Sequence, residues 1–301
     1  MKKYFLLLAA AAAAVAITSC GKDGKTVDPD SAEDAEAHLV AYFPLDSQAA
    51  AVSVGEGISF AELGGSGEFT ESGFKGGAYN NASSDHETQA FLKLNVPADF
   101  LSTKSSFTVT AWVNTPSQRG GIITFGSSAA KVDANWGAWD LFFDGGHDQG
   151  TTLKGYMLST ETEWGGFYPS YKGLEVAQNK WIQLAYSYDE STSWANLYVN
   201  ATLVGTPTEE DGTILGTSQC FAGPEKEDGT QDLVGKIVLP EVNSLYIGAF
   251  ASRESGASSE TWLSYFAGKI DEVRIYDKAL SAKQLQTVYK NEVKESTGLD
   301  N

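Results

Sequence analysis

The chain is poor in histidine and in positive charge, and each shortage excludes a class of function. It has three histidines, so a histidine-rich metal site has no support. Lysine and arginine number 21 against 39 acidic residues, which gives a formal net charge of −18. Such a surface repels a phosphate backbone, and we expect no binding to nucleic acid.

The first twenty residues predict export and a lipid anchor. Two lysines precede the apolar run Tyr4–Ile17, which is typical of a secretory signal and too short for a transmembrane helix. The run leads through small residues into Cys20 and so resembles a bacterial lipobox. We predict a signal peptide at residues 1–19, lipidation of Cys20 and attachment to the bacterial outer membrane or cell surface. The alternative is an ordinary signal peptide that happens to precede a cysteine.

Lys22 and Asp23 follow that cysteine directly, which resembles the export signal of Bacteroidetes surface lipoproteins. Residues 20–37 are polar and acidic and lack large apolar side chains, so they are predicted to form a disordered tether. Cys220 is then the one remaining thiol, and no intramolecular disulfide can form. Stability must come from a hydrophobic core, which a domain of about 260 residues can build.

Short runs of alternating apolar and polar residues predict an all-β domain. Clusters of glycine, asparagine, aspartate and serine separate the runs, as in a β-sandwich. We predict one folded domain at residues 38–295 and a disordered tail at 296–301. The runs are Phe91–Asn95, Phe107–Val113, Ile122–Phe125, Trp139–Phe143, Trp181–Tyr188, Trp194–Val199 and Leu245–Phe250.

The last strand and helix carry the most informative pattern. Asp271, Val273 and Ile275 share one parity of a strand, which predicts that they face the same side. Ser281 and Gln284 form a capping-box pair where helical spacing begins. The order G-x-I-D-E-V-R-I-Y-x-x-A-L-S resembles the closing signature of laminin-G-like, concanavalin A-like jelly-roll domains.

The resemblance extends over roughly residues 38–290. It implies a concanavalin A-like jelly-roll β-sandwich of two antiparallel sheets with a short C-terminal helix. The family includes lectins, glycan-binding modules, adhesion domains and some glycosidases, so the fold alone does not assign a function. The blocks that carry the resemblance, in family order, are Leu39–Asp46, Gly73–Ala78, Ser106–Val113, Lys180–Asp189, Leu197–Asn200 and Leu245–Gly248.

Aromatic residues concentrate in the inserted segment Trp136–Ala177. Sugar rings present C–H faces that stack on indole and phenol rings. Two glycines and a proline interrupt the segment, so its rings cannot all lie in a regular core; the alternative is a cluster packed beneath its own loop. We predict a glycan-binding platform over the concave sheet at Trp136, Trp164, Tyr168 and Tyr171, and core positions for Trp112, Trp139 and Trp181.

Polar residues around two adjacent glycines at 145 and 146 predict a hairpin turn. Asp144 and His147 in this turn are included among the predicted ligand-binding residues. A glycosidase needs two carboxylates about 5–9 Å apart. The E-x-D-x-x-E strand of the family's hydrolytic members is absent, as are a P-loop, a dinucleotide-binding fingerprint and a Ser-His-Asp order. We predict no catalytic residues.

Two aspartates are candidates for a structural calcium site. Asp271 places a charge at the end of a row predicted to face the core, where a carboxylate needs backbone donors or a metal ion. In the laminarinase-type domains that the chain resembles, Ca²⁺ lies where the first strand meets the last, and the matching residues are Asp46 and Asp271. The alternative is that Asp271 accepts backbone N–H bonds in a bulge; no D-x-D-x-D-G loop is present.

These features predict a surface-anchored, non-catalytic carbohydrate-binding module of the lectin type. The expected partners are a glycan or polysaccharide and, through Cys20, the membrane. The alternatives are an adhesion or complex-forming lipoprotein that binds a protein partner, and a divergent glycosidase.

Overall fold

The computed structural model describes residues 28, 30–83, 85–127, 135–147, 150–158, 169–177, 180–204, 209–210, 213–214, 219–220, 227–228 and 232–298. The predicted signal peptide, Cys20 and the binding candidates Trp164 and Tyr168 lie outside these residues. Within the described part of the chain, no helix is long and apolar enough to cross a membrane.

The described residues form eighteen strands and three helices. The strands are β1 (Leu39–Phe43), β2 (Ser59–Gly65), β3 (Gly67–Thr70), β4 (Ala78–Asn81), β5 (Ala90–Asn95), β6 (Phe107–Asn114), β7 (Gly120–Gly126), β8 (Trp139–His147), β9 (Gly150–Met157), β10 (Ser170–Leu174), β11 (Ile182–Asp189), β12 (Trp194–Val199), β13 (Thr202–Leu203), β14 (Glu209–Glu210), β15 (Thr213–Ile214), β16 (Gln219–Cys220), β17 (Ser244–Ile247) and β18 (Lys269–Tyr276). The helices are α1 (Ala32–Ala37), α2 (Ala251–Glu254) and α3 (Ala282–Thr297).

Two large antiparallel sheets confirm the predicted sandwich. The seven-stranded sheet has the order β10-β9-β8-β7-β17-β5-β2. The nine-stranded sheet has the order β13-β12-β11-β6-β18-β4-β3, with β1 paired to β18 and β16 paired to β12. A separate two-stranded sheet joins β14 to β15.

The core lies between the two large sheets and follows from the alternation of the strands. Trp139, at the start of β8, is fully buried, as predicted from the apolar run that it begins. Its ring makes edge contacts with Phe107 of β6 at 6.0 Å and with Tyr186 of β11 at 5.3 Å between centroids. These aromatic contacts tie one sheet to the other across the core.

Helix α3 packs on the outer face of the nine-stranded sheet and begins at the predicted capping box. The Ser281 hydroxyl accepts a hydrogen bond from the Gln284 N–H at 3.2 Å, and the Gln284 side chain accepts one from the Ser281 N–H at 2.9 Å. Gly298, in the left-handed conformation with φ 64°, ends the helix. The helix runs to Thr297, which is two residues into the range predicted as a tail.

Trp112 is buried, but the prediction that it lies in the sandwich core was wrong. Its position in β6 points to the outer face, where its ring stacks on Phe74 at 3.6 Å and on Tyr289 of α3 at 5.4 Å. Its Nε1–H donates to Glu292 at 2.7 Å. Trp181 is only partly buried and meets the edge of the Phe74 ring at 6.1 Å, so it is not a core residue either. The sequence motifs that contain Trp112 and Trp181 do correspond to strands, but neither indole ring lies between the two sheets.

The predicted tether does not extend to residue 37. Ser31 caps helix α1 by accepting a hydrogen bond from the Asp34 N–H at 3.1 Å. Asp34 and Ala35 are buried, and Asp34 pairs with Lys278 and accepts a hydrogen bond from Gln284 at 2.9 Å. The short acidic segment is ordered because it packs on the start of α3, a contact that its composition does not reveal.

Candidate functional site

The outer face of the seven-stranded sheet carries aromatic and charged side chains in regular rows. Along β8, Trp139, Leu141 and Phe143 point to the core, so the alternate residues Asp140, Phe142 and Asp144 point outward. In the pairing of β8 with β9, Asp140 lies opposite Tyr156, Phe142 opposite Lys154, and Asp144 opposite Thr152. Opposite residues share a face, which brings a phenol ring, an amine and a carboxylate together.

Five aromatic rings form a cluster on this face, which we call the aromatic patch: Trp136, Phe142, Tyr156, Phe250 and Trp262. The Trp136 ring lies at its centre, 5.1 Å from Phe142, 5.1 Å from Tyr156, 6.2 Å from Phe250 and 5.3 Å from Trp262 between centroids. Phe142, Tyr156 and Phe250 are buried, whereas Trp136 is partly exposed and Trp262 is 43% exposed. The patch therefore presents two indole rings to solvent on a buried aromatic base.

The segment between Phe250 and Tyr265 brings Trp262 to the patch, and hydrogen bonds fix it to the sheet. The Thr124 hydroxyl donates to the Ala249 carbonyl at 2.9 Å and accepts from the Ala251 N–H at 2.8 Å. Gly121 allows the close approach, because a Cβ atom there would lie 2.6 Å from the Ala249 backbone.

Two serines of the same segment position Trp136. The Ser252 hydroxyl donates to the Asn135 carbonyl at 2.9 Å, and the Ser258 hydroxyl donates to the Asn135 side chain at 2.6 Å. Asn135 directly precedes Trp136, so these bonds hold the turn that carries the central ring. Trp136 and Trp262 thus belong to two segments that are hydrogen-bonded to each other.

An ion pair borders the patch one step further along β8. The Lys154 amine binds the Asp144 carboxylate, and the two side chains are 29% and 31% exposed. Lys154 lies opposite Phe142 in the ladder, so the pair is a direct neighbour of the aromatic base. Charged groups that border the tryptophan rings of the patch can donate and accept hydrogen bonds at the edge of a bound ligand.

Asp140 lies beneath the patch and is fully buried. One of its oxygens accepts a hydrogen bond from the Gly137 N–H at 2.8 Å. Burial raises the pKa of Asp140 to about 8, and that hydrogen bond partly opposes the rise. The carboxyl is closed off from solvent and cannot reach a bound molecule.

The predicted ligand-binding residues do not all meet on this face. Trp136 lies in the aromatic patch and Asp144 beside it, as described above. The backbone of His147 pairs with Gly150, and its side chain lies outside the described part of the structure. Tyr171 lies opposite Leu153 in the pairing of β10 with β9 and packs against the core between the sheets, so it is not part of the patch. The structure does not describe Trp164 or Tyr168.

Trp262 was missed in the sequence analysis. A signal was available: the residue follows Ser258-Ser-Glu-Thr261, a polar run with no strand alternation, so its indole has no regular core position. The predicted platform comprises aromatic residues of the Trp136–Ala177 segment, and Trp262 lies some 85 residues beyond that segment in the chain.

Asp271 lies in a β-bulge, so the prediction that it shares a face with Val273 was wrong. The pairing of β18 with β6 shifts register between Asp271 and Arg274, and Glu272 takes a positive φ of 50°. Asp271 lies opposite Trp112, whose ring points to the outer face. The extra residue in the bulge is the physical reason that the simple parity argument failed.

The hydrogen bonds of Asp271 agree with the alternative that it accepts backbone donors. One oxygen accepts from the Phe74 and Lys75 N–H groups at 2.7 and 3.0 Å, and the other accepts from the Glu272 N–H at 2.7 Å. Burial raises the pKa of this carboxyl to about 8, while the backbone donors lower it.

Asp46 likewise accepts from the Gly77 N–H at 2.6 Å. Among the described residues, no group of three or more His, Cys, Asp or Glu side chains is placed to hold a metal ion. Ca²⁺ prefers six to eight oxygen ligands, and carboxylate oxygens that already accept hydrogen bonds from N–H groups do not suit it well. A calcium ion at Asp46 and Asp271 stays a prediction.

A concavity lies at the end of β9 and β10, with a volume of about 460 Å³. Its lining includes Gln118, Glu175, Lys180 and the backbone of Gly150 and Gly173. No aromatic ring lines it among the described residues, so it offers hydrogen bonds but no stacking surface. The aromatic patch is the stronger candidate for a site that recognises a ligand with apolar faces.

The fold accords with what the comparisons with known proteins show. The sequence matches the family described as the concanavalin A-like lectin/glucanases superfamily over residues 76–239, more than half of the chain. The chain belongs to this superfamily. No curated protein matches the sequence significantly.

Several solved structures share the fold at low sequence identity. One is the binding domain of botulinum neurotoxin serotype G, which is 12% identical with a TM-score of 0.51 over 84% of this chain and 51% of the toxin domain. Another is the botulinum neurotoxin serotype D ligand binding domain in complex with N-acetylneuraminic acid, 12% identical with a TM-score of 0.51 over 86% and 52%. The chain spans about half the length of these toxin domains.

A third structure is domain 4 of a GH43 extracellular arabinanase from Geobacillus stearothermophilus, in complex with arabinotriose. It is 18% identical, with a TM-score of 0.47 over 83% of this chain and 98% of the arabinanase domain. At these identities the likeness concerns the fold.

Proposed function

We propose that the protein is a surface-anchored, non-catalytic carbohydrate-binding module whose ligand stacks on the aromatic patch. The observation that carries the proposal is the 43% exposed indole of Trp262, 5.3 Å from the partly exposed ring of Trp136 on a buried aromatic base. An exposed indole keeps apolar surface in contact with water, and a ligand that covers its face removes that surface from water, which favours binding. Sugar rings have C–H faces of matching size and chemistry, and hydroxyl groups at their rims.

The superfamily and the ligand of one fold relative support this class of ligand. The serotype D toxin domain was solved with N-acetylneuraminic acid. We propose a glycan as the partner of this chain too, without transferring that sugar to it.

The carboxylates near the patch favour binding over hydrolysis. Asp140 and Asp144 are four residues apart on one face of β8, a separation of roughly 13 Å along the strand, which exceeds the roughly 5–9.5 Å between the carboxylates of a glycosidase. In addition, Asp140 is fully buried and Asp144 is paired with Lys154. Neither is presented to a substrate as an acid and nucleophile pair requires.

The anchoring part of the proposal depends on Cys20 and on the course of the chain before α1. Asp30 accepts a hydrogen bond from Ser281 at 2.8 Å, and Asp28 lies 3.8 Å from the Lys283 amine. The N-terminal segment therefore approaches the domain beside α3, on the outer side of the nine-stranded sheet. A lipid on Cys20 would hold the module by that side, with the aromatic patch on the opposite sheet facing away from the membrane.

A polysaccharide panel tests the proposal. The full-length protein is expected to bind at least one polysaccharide without releasing reducing ends over prolonged incubation. Release of products would show the glycosidase alternative. Binding to no polysaccharide, with specific capture of a surface protein through the same indoles, would contradict glycan binding and support the adhesion alternative.

A further inference from the structure

Charges next to the aromatic patch bear on which glycans it accepts. Lys154 is the nearest amine to the aromatic base in the β8–β9 ladder, and Asp144 neutralises it. A sugar carboxylate that approaches Lys154 must displace Asp144 or lie against its negative charge. The ammonium is therefore held in an ion pair rather than offered to an anionic ligand.

The second cation beside the patch, Arg253 of α2, is also engaged. Its Nη1 donates to the Leu263 carbonyl at 2.6 Å, and its guanidinium lies 4.4 Å from the centroid of the Tyr265 ring. The Tyr265 hydroxyl in turn donates to Glu254 at 2.6 Å, which places a carboxylate next to that guanidinium. Arg253 thus fastens the segment that carries Trp262.

A carboxylate also lies close to Trp262: Glu260 is exposed and stands two residues before it in the chain. Among the described residues of this face, Lys172 of β10 is exposed and lies on the strand next to Lys154. The whole chain has a formal net charge of −18, so an acidic polysaccharide is repelled during its approach.

Resting on the proposed function, we propose that the aromatic patch selects neutral glycans and rejects those that carry carboxylates. Asp144 is the residue that enforces the rejection, because it neutralises Lys154 and adds its own charge at the rim. A neutral sugar can still use both groups, since its hydroxyls accept from Lys154 and donate to Asp144 without net charge.

The test compares each neutral polysaccharide with a derivative that differs only in charge. The probes are β-glucan, mannan and galactan, each beside its counterpart oxidised at C6 to the uronate. Full-length wild-type protein is expected to bind a neutral probe at least about fivefold more tightly than the oxidised form at low salt. Added salt should narrow the difference, since screening weakens the repulsion.

The Asp144→Asn variant is expected to gain affinity for the oxidised probe, by roughly threefold or more, because Lys154 is released. The double variant Asp144→Asn with Lys154→Gln should lose most of that gain. Glu295→Gln is the matched control: it frees Lys75 from an exposed ion pair in the same way, but on α3 and the opposite sheet. This control variant should leave the ratio of the affinities for the neutral and the oxidised probe unchanged.

Wild-type protein that binds the oxidised probes as tightly as the neutral ones contradicts this inference and leaves the proposed function standing. So does an Asp144→Asn variant whose ratio of affinities equals that of wild type. Failure of all six probes and of the wider panel would contradict the proposed function itself, and this inference with it.

Discussion

Asp140 shows how one buried carboxyl can set the pH dependence of the fold. Its pKa is about 8 in the folded protein, against about 4 for an exposed aspartate in the unfolded chain. Between these values the folded state keeps the proton and the unfolded state has released it. The contribution to stability is therefore complete below about pH 4 and is lost as the pH rises towards 8.

We predict that Asp140→Asn reduces the loss of stability between pH 5 and pH 8 by about 2–4 kcal/mol, because an amide is neutral throughout this range. Urea unfolding at the two pH values measures the change. Asp144→Asn is the control, since that side chain is partly exposed. Equal pH dependence in wild type and Asp140→Asn would show that the buried carboxyl is ionised in both states.

Asp271 raises a related question at the residue scale, because its acceptors are already occupied by three backbone N–H groups. We predict that Asp271→Asn lowers the Tm of the protein, since an amide cannot accept all three bonds. If these hydrogen bonds alone hold the carboxylate, a chelator should leave the Tm unchanged within about 1 °C. A thermal melt with and without chelator decides. A fall in Tm that added Ca²⁺ reverses would support the calcium prediction instead.

Helix α3 is held to the sheet by a buried charged network. Arg274 binds Glu272 at 2.7 Å and also binds Glu292, and Glu292 accepts from Trp112 at 2.7 Å and from Gln183 at 2.5 Å. Burial raises the pKa of Glu292 to about 7, while Arg274 lowers it. The helix therefore depends on polar partners as well as on the apolar contacts of Leu285 and Val288.

We predict that Glu292→Ala destabilises the domain by about 3–5 kcal/mol, because it leaves Arg274 with one fewer partner and the Trp112 and Gln183 donors without an acceptor. Glu295→Ala, on the same helix but in an exposed pair with Lys75, should cost under about 1 kcal/mol. Denaturant unfolding of the two variants gives the comparison. Similar losses for both would mean that the network contributes little beyond helix propensity.

At the scale of helices and strands, the sequence predicts a feature correctly when that feature depends only on residues close together in the chain. The capping box at Ser281 depends on residues three apart, so it is visible in the sequence. The bulge at Asp271 is not, because it lies in the pairing of β18 with β6, a strand far earlier in the chain. Trp112 was misplaced for a similar reason: β6 is buried on both faces, so its apolar run does not say which residues face α3.

At the scale of the whole molecule, the sequence motifs predicted the sandwich because strand alternation and family blocks span most of the chain. The candidate site was only partly predictable. The sequence predicts Trp136 and Asp144 as binding residues, and both lie at the patch, whereas Trp262 reaches the patch through a tertiary contact with a segment more than one hundred residues away. Sequence proximity cannot reveal such a pairing without the sheet order that places α2 beside β7.

We propose that the seven-stranded sheet binds the glycan and that the lipid anchor lies on the side of the nine-stranded sheet. The anchor can be tested separately. We predict that Cys20→Ser releases the protein from membranes, because acyl chains supply about 0.8 kcal/mol for each buried CH₂ group. Fractionation of cells that express wild type or the variant, followed by a salt wash, measures the effect. Retention of the variant in the washed membranes would contradict lipid anchoring through this cysteine.

The central claim is that the exposed indoles bind sugar, and calorimetric titration with a bound polysaccharide tests it most directly. Trp262→Ala is predicted to weaken affinity tenfold or more, because it removes both a stacking face and buried apolar area. Its Tm should change little, since the ring is 43% exposed. Trp181→Ala, a partly exposed indole on the other sheet, should leave affinity unchanged. Affinity that survives Trp262→Ala, or falls equally in both variants, would contradict the account.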